Sequence, residues 1–216
     1  MEVIEQSFEI MVMPIGALEL IEKAGRTCYK SEAKITPDSS KKFVNGLKKS
    51  GHHSVIEHSF ATVRFITDRA VTHELVRHRL CSFSQESQRY VNYGSDHIKF
   101  IKPVWAKNIK NKTYDLYPST DFSLGTSEYI WINAMIDSEL RYKELLQYWK
   151  PEQARTVLPN STKTEIVVTA NLREWMHIFK LRTSKAAYPQ IRELMISCLK
   201  EFNKYVPVLF EDLIVD

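Results

Sequence analysis

Apolar residues recur along the chain with two periods, and these predict short strands separated by helices. Partly alternating or β-branched apolar stretches predict strands at residues 8–13, 60–66, 98–101 and 162–169. Apolar residues three and four positions apart predict helices at 18–26, 36–50, 68–79, 128–149, 171–181 and 191–202. Residues 151–155, with proline in the first turn, begin a further short helix that Pro159 ends. The polar, turn-rich segment 103–127 is expected to be a surface excursion.

Two helices are predicted together with their boundaries. Thr36 is expected to cap the helix that Pro37 and Asp38 begin, because hydroxyls accept from the free N–H groups of a first turn. The helix that begins after Thr67 or Asp68 is expected to run to about Arg79. Arg77, His78 and Arg79 then fall in its last turn, where Glu74 can orient His78 from one turn earlier.

Two apolar stripes differ in their regularity. The stripe of helix 191–202, which includes Cys198, has near-ideal helical spacing and predicts a buried core face. In helix 128–149, Glu139 and Lys143 interrupt the stripe. That interruption fits a subunit contact as well as a buried core.

Composition limits the classes of protein to consider. At 216 residues, 44% hydrophobic and 26% charged, one globular domain spanning 1–216 is expected. A net charge of +4 is too small for a nucleic-acid coat. Three scattered cysteines predict no disulfide framework, and no secretory or membrane-spanning segment is evident. We expect a soluble, cytoplasmic protein.

The segment 77–90, RHRLCSFSQESQRY, concentrates three arginines and a histidine beside hydroxyls and amides. A guanidinium group matches phosphate and carboxylate oxygens in pairs. The segment therefore predicts a binding site for a small anionic molecule, although a solvated basic face has the same composition.

Other kinds of chemistry find less support in the sequence. The chain lacks P-loop, dinucleotide-binding and G-x-S-x-G motifs, and its histidines lack the spacing of a metal site. His73 and His78 are five residues apart rather than four, so we predict no metal. The basic residues before Cys81 could lower its pKa, but one nearby charge does not make a nucleophile. Binding and electrostatic polarisation, with a cofactor for the difficult step, fit better.

Five segments together resemble the flavin-dependent thymidylate synthase family. The most specific is Arg77-His78-Arg79 followed by seven residues, Ser87, one residue and Arg89. The others are GHHSVIEH at 51–58, ARTVLP at 154–159, NLR at 171–173 and LR at 181–182. Their order and approximate spacing agree with the family.

The resemblance implies a fold, an assembly and a reaction. The fold is α+β, a small and mostly antiparallel sheet flanked by helices, in a homotetramer with active sites at subunit interfaces. The reaction transfers a one-carbon unit from 5,10-methylenetetrahydrofolate to C5 of dUMP. NADPH supplies the hydride through FAD, tetrahydrofolate is released, and no protein cysteine attacks the pyrimidine.

The resemblance also implies roles for individual residues. Arg182 is the catalytic residue that contacts and activates the uracil ring. The dUMP contacts are Glu74, Arg77, Gln85, Ser87, Arg89, Arg155 and Arg182. The FAD contacts are Ser54, Arg77, His78, Arg79, Gln85, Asn171, Arg173 and His177. Two positions depart from the family, because Glu74 replaces a Gln of some members and Gln85 replaces a Glu.

Two other functions remain as alternatives. A basic nucleic-acid-binding module could use the 77–89 cluster, but aromatic stacking platforms are not interleaved with its arginines. A metal hydrolase could use the histidines, and metal analysis of the purified protein tests it.

Overall fold

The computed structural model describes residues 1–214, and it has the α+β fold class that was expected. Its strands are β1 (Glu2–Ile4), β2 (Ser7–Val12), β3 (Phe60–Asp68), β4 (Ser82–Gln85), β5 (Lys99–Ile101) and β6 (Lys163–Asn171). Its helices are α1 (Ala17–Cys28), α2 (Ser39–Lys49), α3 (Arg69–Leu75), α4 (Ser127–Leu145), α5 (Pro151–Ala154), α6 (Leu172–Arg182), α7 (Pro189–Tyr205) and α8 (Pro207–Phe210).

The strands form two sheets. Four of them pair in the order β2-β3-β6-β4, and β1 pairs in parallel with β5. Along β3 and β6 every second side chain is buried, as one buried sheet face requires. Thr62 and Thr169 on these strands lie hydroxyl to hydroxyl at 2.9 Å. The small antiparallel sheet matches the expected architecture.

The chain divides into two compact units. The first unit comprises Met1–Ser7, Phe65–Leu75 and Ser84–Ile166, and the second comprises Phe8–Arg64, Val76–Phe83 and residues 167–214. In the second unit, aromatic side chains of α6, α7 and α8 form the core, with ring centroids 5.0–5.7 Å apart: Trp175, Phe179, Phe202 and Phe210. The core of the first unit is built from Met1, Val3, Ile98, Phe100, Ile109, Tyr114, Ile132, Met135, Ile136, Tyr142 and Ala154.

Several predicted helix boundaries are wrong, among them the end of α4, which lies at Leu145 rather than at 149. Helix α2 begins at Ser39 with Asp38 at the cap position. Thr36 does not cap it; the backbone N–H of Thr36 donates to the Ser39 hydroxyl, which in turn donates to the Thr36 carbonyl oxygen. Helix α3 ends at Leu75, after Asp68 Oδ1 has capped its start by accepting from Val71 N at 2.7 Å.

As a result, Arg77, His78 and Arg79 lie in the turn after α3 rather than in its last turn. The turn buries His78, with only 5% of its surface exposed, and leaves both arginines at the surface. The one-turn spacing by which Glu74 was expected to orient His78 therefore does not exist.

Helix α4 shows why its apolar stripe is interrupted. Glu139 is buried and accepts hydrogen bonds from Ile98 N at 2.7 Å and Lys143 Nζ at 2.8 Å. Burial raises the pKa of Glu139, but these bonds and one with His97 outweigh it and hold the pKa below its usual value. Glu139 therefore joins α4 to the chain before β5, whereas Leu140 of the same helix is 40% exposed.

The segment 103–127 is only partly the surface excursion that was expected. Ile109 and Tyr114 are buried in the core of the first unit, and Ser119 is buried as well. Across residues 1–214, no helix has the length and apolar character to cross a membrane.

We predict that Glu139→Ala lowers the free energy of unfolding by about 3 kcal/mol, because it leaves buried polar partners unsatisfied. Glu144→Ala on the same helix removes an exposed pair with Arg141 and should cost less than about 1 kcal/mol. Urea unfolding followed by circular dichroism measures both. Equal losses for the two variants would contradict the buried role of Glu139.

Candidate functional site

The second unit places one half of the predicted site on helix α6. Asn171 caps this helix, its Oδ1 accepting from Glu174 N at 2.8 Å. Arg182 is eight positions after Glu174, so the two side chains project from adjacent sides of α6, about two turns apart. His177, five positions before Arg182, is exposed.

The imidazole of His78 lies against α6 between these two charged residues. Arg182 Nε donates to His78 Nε2 at 3.0 Å, and His78 Nδ1 is 3.4 Å from Glu174 Oε1. Burial is the largest cause that lowers the pKa of His78, and together with the neighbouring charges of Arg182 and His177 it brings the pKa from 6.5 to about 4. His78 is therefore neutral at physiological pH.

The two arginines beside His78 remain available to a ligand. Arg77 and Arg79 are exposed, and neither makes an ion pair with any residue from 1 to 214. In the turn after α3, His78 therefore contacts the protein, whereas Arg77 and Arg79 face solvent. An anionic group is the ligand that such guanidinium groups favour.

Two predicted cofactor residues line one cleft of the second unit. The cleft has a volume of about 390 Å³, and its wall includes Ser54 and Arg173 together with Gly51. Arg173 forms an ion pair with Glu57, which belongs to segment 51–58 with Gly51 and Ser54. A guanidinium group near the N-terminal end of α6, beside a hydroxyl, is a donor set that suits a diphosphate such as that of FAD. The residues present therefore fit this cofactor.

The first unit carries the other half of the predicted site, beginning with Gln85 at the end of β4. Thr72 Oγ1 donates to Arg69 O at 3.0 Å, so its lone pairs remain to accept from Gln85 Nε2, also at 3.0 Å. Gln85 Nε2 also lies 3.3 Å from Thr164 Oγ1. Because the amide nitrogen is used in this way, the amide oxygen is the group that Gln85 can offer to a ligand.

Glu152 joins two of the predicted nucleotide-binding arginines. Arg155 Nε donates to its carbonyl oxygen at 3.2 Å, and Arg89 Nε lies 3.5 Å from its carboxylate. The Ser87 hydroxyl accepts from Arg89 N at 3.3 Å and so shapes the turn that carries Arg89. Between them, the buried Gln88 keeps an amide nitrogen without a hydrogen-bond partner among residues 1–214.

The structure thus assembles the predicted residues as two groups. Within the second unit it brings His78 and Arg182 into contact, with His177 edge-on to His78 at 5.7 Å. Within the first unit, Arg89 and Arg155 both contact Glu152. Glu74 lies in α3 of the first unit and is half-buried.

Cys81 does not have the activated setting that its basic neighbours implied. Burial raises the pKa of the Cys81 thiol to about 12, and the charge of Glu174 acts in the same direction. A thiol with this pKa is protonated at physiological pH and is a poor nucleophile. The expectation that the preceding arginines lower its pKa is wrong, because those side chains point into solvent while the thiol is partly buried beside a carboxylate.

One group of side chains has the composition of a metal site. His78, Glu174 and His177 offer nitrogen and oxygen atoms within 4.8 Å of one another. Both ring nitrogens of His78 already face protein partners, and a guanidinium cation lies against one of them. We assign no metal here, and the absence of a metal stays a prediction.

Sequence reasoning missed Glu174, Glu152 and the threonines that hold Gln85. Only Glu174 had a local signal, because an acid three residues after Asn171 is typical of a helix start. Its contact with His78 joins residues almost a hundred positions apart, and no local pattern predicts such a contact.

Comparison with protein families gives a match over most of the chain. The model described as "Thy1: Thymidylate synthase complementing protein" matches residues 11–208. A flavin-dependent thymidylate synthase of Mycobacteroides abscessus is 36% identical over 204 residues, covering 91% of this chain and 80% of that protein. A protein of the same description from Mycobacterium tuberculosis is 35% identical over 209 residues, covering 91% and 80%.

Solved structures agree in fold. The UMP/dUMP methylase PolB of Streptomyces cacaoi, bound with 5-Br dUMP, has a TM-score of 0.76 at 25% identity, covering 98% of this chain and 96% of that one. Thymidylate synthase X of Helicobacter pylori, with FAD and dUMP, has a TM-score of 0.73 at 20% identity, covering 98% and 100%. The second likeness concerns the fold alone.

We predict that the neutral state of His78 makes stability depend on pH. The folded pKa lies below the unfolded value, so acid favours the unfolded chain as pH falls from 6.5 to about 4. Between neutral pH and ~pH 4.5, His78 should therefore lower the free energy of unfolding by about 2 kcal/mol. His78→Gln, which can still accept from Arg182, should lose correspondingly less stability between the same two conditions. Urea unfolding at both pH values measures the difference, and identical losses in both proteins would contradict it.

Proposed function

Because the chain belongs to the flavin-dependent thymidylate synthase family, we propose that it methylates dUMP at C5 to give dTMP. 5,10-Methylenetetrahydrofolate gives the one-carbon unit, and NADPH with one proton provides the reducing equivalents. The products are dTMP, tetrahydrofolate and NADP⁺. FAD, when bound, supplies the hydride that completes the methyl group. The observation that supports a role for this chain's own residues is the restraint of Arg182 by a neutral, buried imidazole.

Arg182 is the catalytic residue of this proposal. Its guanidinium group stabilises negative charge that develops on the pyrimidine when C5 becomes nucleophilic. A fixed cation serves this purpose better than a mobile one, since no reorganisation is needed as the charge develops. The hydrogen bond from Arg182 Nε to His78 Nε2 supports this role because it restrains the plane of the guanidinium group.

Arg89 and Arg155 bind the phosphate of dUMP. Their shared contact with Glu152 supports this assignment, since it brings two guanidinium groups together. Ser87 and the amide oxygen of Gln85 make further contacts with the nucleotide, the amide oxygen accepting from a donor. Arg77 and Glu74 complete the dUMP set, and Glu74 can only accept hydrogen bonds there while it is ionised.

FAD is held by residues of the turn after α3 and of the α6 region. Arg77, Arg79 and Arg173 supply positive charge, and Ser54 and the capped start of α6 supply hydrogen-bond donors. The full set of FAD contacts proposed from the family motifs is Ser54, Arg77, His78, Arg79, Gln85, Asn171, Arg173 and His177. Their task is to bind and orient the cofactor against the nucleotide.

The assembly and the location follow from the same family membership. We propose one catalytic domain over residues 1–216, a homotetramer with active sites at subunit interfaces, and a cytoplasmic location. Neither the family model nor the relatives support the basic nucleic-acid-binding module, so it is not proposed.

We predict that the purified protein is yellow and converts dUMP to dTMP only when NADPH and methylenetetrahydrofolate are both present. Arg182→Ala should lower kcat about a hundredfold to a thousandfold, the usual effect of removing one charge-stabilising donor. Its flavin absorbance should remain. Chromatographic quantification of dTMP measures turnover. Cys81→Ala is the control and should stay active, because its protonated thiol has no part in the reaction. A flavin-bound but inactive Cys81→Ala would contradict the nucleophile-free mechanism.

We also predict that Arg89→Ala and Arg155→Ala each weaken dUMP binding about tenfold to a hundredfold, as expected for a lost charge-assisted hydrogen bond. Deoxyuridine, which lacks the phosphate, should lose little affinity in the same variants. Arg141→Ala, which removes an exposed arginine of α4, is the matched control. Calorimetric titration measures all of these affinities. Equal weakening for dUMP and deoxyuridine would exclude phosphate as the partner of these arginines.

A further inference from the structure

Three side chains of the second unit form a continuous chain of contacts that begins at a residue without an assigned role. Glu174 lies 3.4 Å from Nδ1 of His78, and Nε2 of His78 accepts from Nε of Arg182 at 3.0 Å. Glu174 and His78 are both buried, with 7% and 5% of their surfaces exposed. Helix α6 supplies both ends of the chain, and the turn after α3 supplies its middle.

The direction of these contacts fixes the position of one proton. Arginine Nε can only donate, so Nε2 of His78 must present a lone pair to it. A neutral imidazole then carries its single proton on Nδ1, where the Glu174 carboxylate is the facing acceptor. The opposite tautomer would set the Nε2–H of His78 against the Nε–H of Arg182, with two donors facing each other.

We propose that Glu174 is a positioning residue for Arg182, which it restrains by holding His78 in the Nδ1–H tautomer. This inference rests on the proposed catalytic role of Arg182. Glu174 touches neither substrate nor cofactor in this scheme. Its carboxylate keeps the Nε2 lone pair directed at the arginine, and the guanidinium group keeps the orientation in which it meets the pyrimidine.

Glu174 also occupies the first turn of α6, where a negative charge stabilises the helix itself. Substitutions must therefore separate the acceptor from the charge. Glu174→Gln keeps an acceptor oxygen and removes the charge, whereas Glu174→Asp keeps the charge and withdraws the acceptor by one methylene. Glu174→Ala removes both.

The test measures kcat, the KM for dUMP and the imidazole ¹⁵N shifts of the flavin-loaded enzyme and its variants. For histidines that bind metals, removal of the residue that orients the imidazole typically costs about tenfold to a hundredfold, and we expect an effect of the same size here. We expect a fall of this size in kcat for Glu174→Ala, a smaller fall for Glu174→Asp, and most of kcat retained in Glu174→Gln. The ¹⁵N shifts should show a proton on Nδ1 in the wild-type protein and in Glu174→Gln, and a tautomer mixture in Glu174→Ala.

Several outcomes would overturn the inference. One is an unchanged kcat and an unchanged tautomer in Glu174→Ala or Glu174→Asp. Another is Glu174→Gln being as impaired as Glu174→Ala, which would assign the effect to helix charge. A third is a stoichiometric metal that is lost in Glu174→Gln, since His78 would then be a metal ligand. Wild-type protein that does not convert dUMP would instead refute the proposed function, because the ¹⁵N shifts report the tautomer without turnover.

Discussion

The contact on which the active site depends most is that between a neutral imidazole and a guanidinium group. His78 is buried against α6, where protonation would place a second cation beside Arg182. Burial and that neighbouring charge both lower the pKa of the ring to about 4. Because the ring stays neutral, it can accept from Arg182 instead of repelling it. One local arrangement therefore explains why a histidine stands between two arginines in the 77–79 turn.

In the first unit, Glu152 and a threonine hydroxyl orient the predicted nucleotide-binding residues. Glu152 holds both arginines, because its carboxylate lies 3.5 Å from Arg89 Nε and its backbone carbonyl oxygen accepts from Arg155 Nε. Gln85 is held by two successive hydrogen bonds. Its amide nitrogen donates to the Thr72 hydroxyl, and that hydroxyl donates to the Arg69 carbonyl oxygen. This order requires an amide at position 85, because a carboxylate cannot donate to the lone pairs of Thr72. In both units, polar side chains are oriented before a ligand arrives, as electrostatic catalysis requires.

Much of the fold could be predicted from the sequence, since most helices and the strands β2, β3, β5 and β6 follow clear patterns of apolar residues, whereas β1 and β4 were not predicted. The failures have tertiary causes. The helix expected to reach Arg79 ends at Leu75 because the burial of His78 against α6 competes with helix continuation. On α4, Glu139 is buried because it accepts a hydrogen bond from the backbone N–H of Ile98, whereas Lys143 is only partly buried. Motif spacing predicted the candidate residues, but the roles of Glu174 and Glu152 depend on contacts between distant parts of the chain. The pKa of Cys81 could not be inferred from neighbours in sequence, because burial determines it.

The central claim is that fixed guanidinium groups, rather than a protein nucleophile, activate the nucleotide. A crystal structure of the protein with FAD and dUMP tests it most directly. We expect Arg182 to contact the pyrimidine while its Nε still donates to His78, and we expect Arg89 and Arg155 on the phosphate. A pyrimidine bonded at C6 to Cys81, or an Arg182 turned away from both His78 and the base, would contradict the account.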